Sequence, residues 1–165
     1  MRIVSSRGFT LLEVLIALLI FSLGMLGLAG LMVVSVKTNQ SAYLRTQASF
    51  LAQSMADRMR ANIGQINNYN GDYDASTAGA PTCTSCDPAG MRARDTAVWS
   101  QQLIDSLPNP TANINCTGTV VPASSGAGTY DGTCEFIIQW AEANLEVNSG
   151  ASAPPPQTFA WVFQP

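Results

Sequence analysis

A long apolar run near the start of the chain is the feature that most limits what this sequence can fold into. Residues Phe9–Val36 contain a single charged side chain, Glu13, and outnumber the ~20 residues that a helix needs to cross a bilayer. Arg2 and Arg7 precede the run, so the positive-inside rule places the N-terminus in the cytoplasm and everything after Lys37 outside it. The sequence therefore predicts a membrane helix followed by an exported region.

Glu13 needs an explanation, because an ionised carboxylate in hydrocarbon costs about 2.5–3.5 kcal/mol. No A-x-A-like cleavage site closes the run, and the only small-residue break, Gly8, comes before it. Cleavage after Gly8 would leave a new amino group on Phe9, one helical turn from Glu13. We therefore expect Glu13 of one subunit to pair with the Phe9 amine of a neighbour and so to fix the axial register. An ordinary signal anchor with a tolerated Glu is the alternative.

The stretch from Arg7 to Ala17, RGFTLLEVLIA, resembles the class III signal of type IV prepilins. In that family, prepilin peptidase cuts after the Gly and N-methylates the new terminal residue, and the Glu four residues on serves assembly. The resemblance implies that Gly8 is the cleavage residue, Phe9 the N-methylated terminus and Glu13 the assembly-register residue. The motif is specific, because the Gly-Phe-Thr cut, the Glu and the apolar run have to coincide.

Two further stretches, Asn39–Tyr43 (NQSAY) and Ala56–Asn62 (ADRMRAN), resemble the PilV subgroup of minor pilins, the type IV pilus modification proteins. Later pieces fit the subgroup in the same order, namely the paired cysteines, Asp95–Trp99, Leu107–Pro108 and Cys134–Trp140. The resemblance implies a minor pilin that helps prime pilus assembly and lies in the tip complex. Its implied partners are prepilin peptidase, other minor pilins, the major pilin, the tip adhesin and the inner-membrane assembly platform.

The first helix is expected to extend well beyond the membrane, because no proline occurs from Phe9 to Asn62, a length of roughly 80 Å at 1.5 Å per residue. Its second half carries an apolar stripe at 3–4 spacing: Leu44, Ala48, Leu51, Ala52, Met55 and Met59. We expect an α+β, type IV pilin-like fold, with this long N-terminal α-helix packed on a small antiparallel β-sheet head. The glycines at 24, 27 and 30 either loosen the helix or allow close helix packing.

The predicted organisation has four parts. They are a leader peptide (1–8), a transmembrane or filament-core half-helix (9–36), an amphipathic half-helix (37–62) and a globular head (63–165). The protein is expected in the inner membrane through its single helix, with a periplasmic head, and then in the pilus at the cell surface.

The head is predicted to begin with turns over residues 62–90, which are rich in Gly, Asn, Asp and Pro. Alternating Asn and Asp side chains at 68, 70, 72 and 74 resemble half of a calcium loop, but the bidentate Glu is missing, which favours solvated turns. A short helix should follow, with Asp95 as N-cap, an apolar face that includes Trp99, and an end at Pro108. Trp99 is expected in the core. Strands are predicted at Thr119–Val121, Cys134–Trp140 and Thr158–Phe163 as part of a sheet of three or four strands.

The four cysteines, all in the second half, predict disulfides in an oxidising compartment. A redox-active C-x-x-C or a four-cysteine zinc site fits the surrounding residues and the spacing less well. Three connectivities are open, and we favour Cys83–Cys86 and Cys116–Cys134.

No enzymatic activity, cofactor or metal is expected, because the chain contains no His, no G-x-S-x-G and no phosphate loop. Nucleic-acid binding has little support, since the net charge is −3 and only Arg92 and Arg94 are basic after Asn62. Two alternatives remain for the function. One is a minor pseudopilin of a type II secretion system, which would share the N-terminus, and the other is a membrane-anchored binding module that enters no filament.

Overall fold

The computed structural model describes residues 8–79, 86–122, 128–142 and 155–165. The chain divides into two compact units, Met1–Ser41 and Ala42–Pro165. Helix α1 spans Leu11–Ala61 and contributes to both units.

The N-terminal unit presents an apolar surface that nothing in the described chain covers. Every residue from Gly8 to Val36 is exposed, and the helix runs without interruption through the glycines at 24, 27 and 30. Within the described residues, α1 is the one helix that is long and apolar enough to cross a membrane, judged by its length and composition. A helix that is apolar on all sides requires apolar surroundings, such as lipid or other helices.

The second part of α1 belongs to the head and buries one face. All six residues of the predicted apolar stripe are buried, which confirms that prediction, and Ala56 is buried with them. The opposite face carries exposed polar side chains, as expected for a helix that packs on a core by one side.

The segment after α1 is more ordered than the predicted turns, and that prediction is wrong. A 3-10 helix covers Ile63–Tyr69, and strand β1 covers Gly71–Tyr73. The buried side chains of Ile66, Tyr69 and Tyr73 explain the order, because these apolar anchors fix a chain whose polar residues favour turns.

Helix α2 spans Pro88–Ser106 and starts earlier than predicted. Its N-cap is Asp87, whose side chain accepts a hydrogen bond from the Gly90 amide at 2.6 Å, and Pro88 occupies the first turn. Proline is favoured there because its missing N–H would have no partner within the helix. The assignment of Asp95 as N-cap was therefore wrong, since Asp95 lies inside α2.

The head contains a four-stranded antiparallel sheet. Strand β2 spans Thr111–Thr117, β5 spans Thr133–Trp140 and β6 spans Gln157–Phe163, in the order β1-β2-β5-β6. Two short strands, β3 (Val120–Val121) and β4 (Thr129–Tyr130), form a separate ribbon. The predicted strands at Cys134–Trp140 and Thr158–Phe163 are confirmed to within one residue, whereas β2 was not predicted.

Trp99 lies at the centre of the head core, as the sequence predicts. Its side chain is fully buried, and its indole N–H donates a hydrogen bond to the Leu51 carbonyl of α1 at 2.8 Å. The rings of Tyr73 and Phe136 approach it edge-on, with centroid distances of 5.4 and 6.1 Å. Phe159 and Trp161, predicted on the sheet faces, are partly buried against this core. Trp99 thus joins α2 to α1 and to the sheet.

A disulfide joins the two central strands. Cys116 and Cys134 are direct partners in the β2–β5 register and are covalently bonded, so this half of the favoured connectivity is present. Cys86 is also disulfide-bonded, while Cys83, its expected partner, lies outside the described residues. Beside the Cys116–Cys134 bridge, a Cβ on Gly132 would lie 2.0 Å from the Thr117 carbonyl oxygen, so only glycine fits there.

Removing this bridge by the double substitution Cys116→Ala and Cys134→Ala should lower the free energy of unfolding by about 3 kcal/mol, mainly because the unfolded chain gains freedom. Urea unfolding of the full chain in detergent, followed by tryptophan fluorescence, measures the change in the head, where all three tryptophans lie. The matched control is Thr117→Ala with Thr133→Ala, the adjacent cross-strand pair. Equal losses in both double variants would contradict the prediction.

Candidate functional site

The predicted cleavage and methylation residues lie just before α1. Gly8, Phe9 and Thr10 are exposed and non-helical, and the Phe9 side chain is 84% exposed. Exposed, irregular backbone next to a small residue is the usual setting for proteolysis. The Gly8–Phe9 bond is therefore open to an enzyme in the conformation seen here.

Thr10 caps the helix, a role that the sequence analysis missed. The Glu13 amide donates hydrogen bonds to the Thr10 carbonyl oxygen at 3.1 Å and to its Oγ1 at 3.3 Å. Thr10 and Glu13 have the T-x-x-E spacing of a capping box, which was visible in the sequence. The cap fixes the start of α1 and places Glu13 in its first turn, where the helix dipole favours a negative charge.

The Glu13 carboxylate has no partner among the described residues. No basic side chain or hydrogen-bond donor of residues 8–79, 86–122, 128–142 or 155–165 contacts it. The residues that share its side of the helix are apolar, and they are Phe9, Val14, Ala17, Leu18 and Phe21. The structure thus brings Gly8, Phe9 and Glu13 together at one helix start, with the carboxylate available to a cation from another molecule.

A second group of polar contacts ties the end of α1 to the head. Arg58 forms a salt bridge with Asp95 at 3.2 Å, and the Tyr69 hydroxyl donates to the other Asp95 oxygen at 3.0 Å. The Asn62 amide donates to the Tyr69 hydroxyl at 3.2 Å and to the Pro88 carbonyl at 2.8 Å. Arg58 and Asn62 both belong to the ADRMRAN stretch. That stretch therefore fixes the 3-10 helix and α2 against α1.

Burial raises the pKa of two tyrosines near this junction. The pKa of Tyr69 rises from 10.0 to about 12, chiefly through desolvation, with the Asp95 carboxylate adding to the effect. Desolvation also raises the pKa of Tyr73 from 10.0 to about 12. Both hydroxyls therefore stay protonated in the folded head at pH values where exposed tyrosines ionise.

These shifts predict that alkaline pH destabilises the head. Stability is fully present below pH 10, the unfolded pKa, and is lost as the pH rises towards about 12, because the unfolded state releases these protons first. Urea unfolding at several pH values between about 9 and 11.5 measures the decline. Tyr73→Phe should make it shallower, whereas Tyr43→Phe, which changes an exposed tyrosine, should leave it as in the wild type. Identical slopes in all three proteins would contradict the assignment.

The side chains considered for a calcium loop serve other purposes. Asp72 accepts a hydrogen bond from the Asn113 amide at 2.7 Å, and Asp74 accepts from the Ser76 amide and hydroxyl. The latter bonds hold the pKa of Asp74 below its usual value. In the part of the chain that the structure describes, no three Cys, Asp or Glu side chains come together. These residues form turns and link strands, which removes the geometric basis for the calcium alternative.

Comparison with known proteins gives one match. A family model described as the prokaryotic N-terminal methylation motif matches residues 4–29, a range that includes Gly8, Phe9 and Glu13. Neither the curated proteins nor the solved structures compared with the chain give a significant match. The matched motif is a prepilin-type signal, and it supports a type IV pilin or pseudopilin that prepilin peptidase processes and that assembles with other pilins. The long helix and small antiparallel sheet are consistent with a type IV pilin-like fold.

Proposed function

We propose that this chain is a minor pilin of a type IV pilus, of the PilV type. One observation carries the proposal: the matched methylation motif lies on a helix start where Gly8 and Phe9 are exposed and the Glu13 carboxylate has no partner among the described residues. The protein is then a building block rather than an enzyme, and its own N-terminus is the substrate of covalent chemistry.

The proposed maturation has two steps at one bond. Prepilin peptidase hydrolyses the peptide bond between Gly8 and Phe9, releasing residues 1–8, and then transfers a methyl group to the new amine of Phe9. Residues 9–36 hold the mature protein in the inner membrane, and the amphipathic residues 37–62 lead to the head, residues 63–165, in the periplasm. The exposed apolar surface of residues 9–36 supports this placement, because water disfavours it.

Glu13 is proposed to set the axial register during assembly. When the helix leaves the bilayer for the filament, its carboxylate would remain in apolar surroundings and requires a positive partner. The methylated amine on Phe9 of a neighbouring subunit is a cation at the start of an otherwise apolar helix. Pairing of the two charges favours one axial offset between helices over all others.

The minor-pilin part of the proposal rests on the head. A pseudopilin of type II secretion would carry the same N-terminal motif, so the motif supports both classes equally. The ADRMRAN stretch resembles the PilV subgroup, and the structure gives two of its residues, Arg58 and Asn62, defined contacts that orient α2. The proposed role is to help prime pilus assembly and to form the tip complex with other minor pilins, the major pilin and a tip adhesin, on the inner-membrane assembly platform.

Quantitative mass spectrometry of sheared surface filaments, compared between wild-type cells and a deletion strain, tests this proposal. We expect the chain in the filaments at a small fraction of the major subunit, and fewer filaments per cell after deletion. Normal filaments together with lost protein secretion in the deletion strain would instead identify a pseudopilin. A chain confined to the membrane, with normal filaments and secretion after deletion, would support the anchored binding module.

A further inference from the structure

Two aromatic side chains of the head half of α1 point away from the core. Tyr43 is 60% exposed and Phe50 is 62% exposed. They are seven residues apart, which is nearly two helical turns, so they lie on the same side of the helix. That side is opposite the buried stripe around Ala48 and Met55. The head core therefore gives no reason for either aromatic side chain.

The surface around these aromatics carries no charge. Gln47 and Ser54 continue the row at 3–4 spacing, and together the four residues Tyr43, Gln47, Phe50 and Ser54 form what we call the aromatic strip. Arg45 is the only charged residue between Lys37 and Asp57, and its guanidinium donates a hydrogen bond to the Gln157 side chain of β6 at 3.1 Å. Solvent-facing helix positions are normally charged or polar, whereas exposed aromatics without charges are typical of the centre of a protein interface.

The size of the aromatic strip limits what can occupy it. Tyr43 and Phe50 together expose on the order of 250 Å² of side chain. A free partner in solution requires about 800 Å² on each side for stable binding. The strip alone is therefore too small to hold a soluble protein. Its occupant has to be held next to α1 by some other contact.

We infer that the aromatic strip receives the α-helix of a neighbouring pilin of another kind. This inference rests on the proposed function, because a minor pilin has other pilins as neighbours and the N-terminal helices already hold them side by side. The 3–4 spacing of the strip is the pattern by which one helix packs along another at a small crossing angle. The facing side of the partner helix is uncharged, since a charged side chain would be desolvated against Tyr43 and Phe50 without a counter-charge.

Site-specific photocrosslinking in cells tests the inference on the full chain. Benzoylphenylalanine is introduced at Tyr43 or at Phe50, which keeps the aromatic character. The matched control carries it at Val162, which is 57% exposed on the outer face of the sheet. Irradiation should give adducts at 43 and 50 whose crosslinked peptide comes from the N-terminal helix of a different pilin, and no such adduct at 162.

A second measurement uses truncation instead of crosslinking. The double variant Tyr43→Ala with Phe50→Ala should enter sheared filaments about tenfold less than the wild type, as expected for the loss of central interface aromatics. Cleavage after Gly8 and the urea unfolding curve should be unchanged, because both side chains are exposed. Val162→Ala should assemble as the wild type does.

Several results would overturn the inference while the proposed function stands. They are a processed, filament-borne double variant at wild-type level, adducts between two copies of this chain, adducts to a protein without the methylation motif, and equal adduct yields at 50 and 162. A wild-type chain that is not processed, or is absent from filaments, would instead overturn the proposed function, and the inference with it.

Discussion

Replacing Glu13 with alanine is expected to lower incorporation of the chain into filaments by at least about tenfold, while cleavage after Gly8 continues. Removing one partner of a buried ion pair costs about 3–5 kcal/mol, and about 1.4 kcal/mol already corresponds to a tenfold change in an equilibrium. The Phe9 amine of the neighbouring subunit would remain in apolar surroundings without a counter-charge. The measurement is the ratio of filament-borne to membrane-borne chain, determined by quantitative mass spectrometry.

Two variants separate the charge of Glu13 from its position in the first turn of α1. Glu13→Gln keeps the length and a hydrogen-bond acceptor but removes the charge, so it should lose incorporation almost as Glu13→Ala does. Ser22→Ala is the matched control, because the Ser22 hydroxyl donates only to the Leu19 carbonyl of its own helix, at 2.8 Å. Wild-type incorporation of Glu13→Ala would show that the carboxylate does not set the register.

Replacing Trp99 with alanine should lower the free energy of unfolding of the head by about 3–5 kcal/mol. The substitution leaves a cavity between α1, α2 and the sheet, and it leaves the buried Leu51 carbonyl without its side-chain donor. Small domains are stable by roughly 5–15 kcal/mol, so this is a large share of the total. Urea unfolding of the full chain in detergent, followed by the fluorescence of Trp140 and Trp161, measures the loss.

Two controls test whether the loss at Trp99 comes from its central position. Trp99→Phe fills part of the space but lacks the indole N–H, so its loss should be intermediate. Trp161→Ala changes a tryptophan that is only partly buried, although it stacks on Phe163 at 5.1 Å, and it should cost less. A larger loss from Trp161→Ala than from Trp99→Ala would show that the core is centred elsewhere.

The parts of the fold that local periodicity determines were predictable from the sequence. The apolar run and the 3–4 stripe of α1 predict a long helix with one buried face, and the β-branched and aromatic residues of β5 predict a central strand. Strand β2 was missed although Ala112, Ile114 and Cys116 alternate with polar residues. The intervening Asn113 and Asn115 favour turns, and it is the pairing with β1 and β5 that stabilises the extended chain.

The start of α2 shows how one dipeptide can carry two meanings. Asp87-Pro88 followed by Gly is typical of a turn, and it is equally typical of an N-cap with proline in the first turn. The choice depends on whether the following residues find a surface to pack on. Here Trp99 and Leu103 bury against α1 and the sheet, so the helix forms.

The candidate site was more predictable than the head, because its elements are close together in the sequence. Gly8, Phe9, Thr10 and Glu13 lie within one and a half helical turns, and their spacing alone predicts both the cleavage site and the cap. The contacts of Asp95 with Arg58 and Tyr69 join residues 37 and 26 positions apart. No local pattern predicts such pairings, which depend on how the 3-10 helix and α2 fold back on α1.

The mass of the N-terminal peptide, measured on protein from cells with an active prepilin peptidase, tests the central claim most directly. The proposed function predicts a mature chain that begins at N-methylated Phe9, with residues 1–8 absent. An intact chain that still begins at Met1 would contradict it, and would make the apolar helix an ordinary membrane anchor whose Glu13 has some other partner.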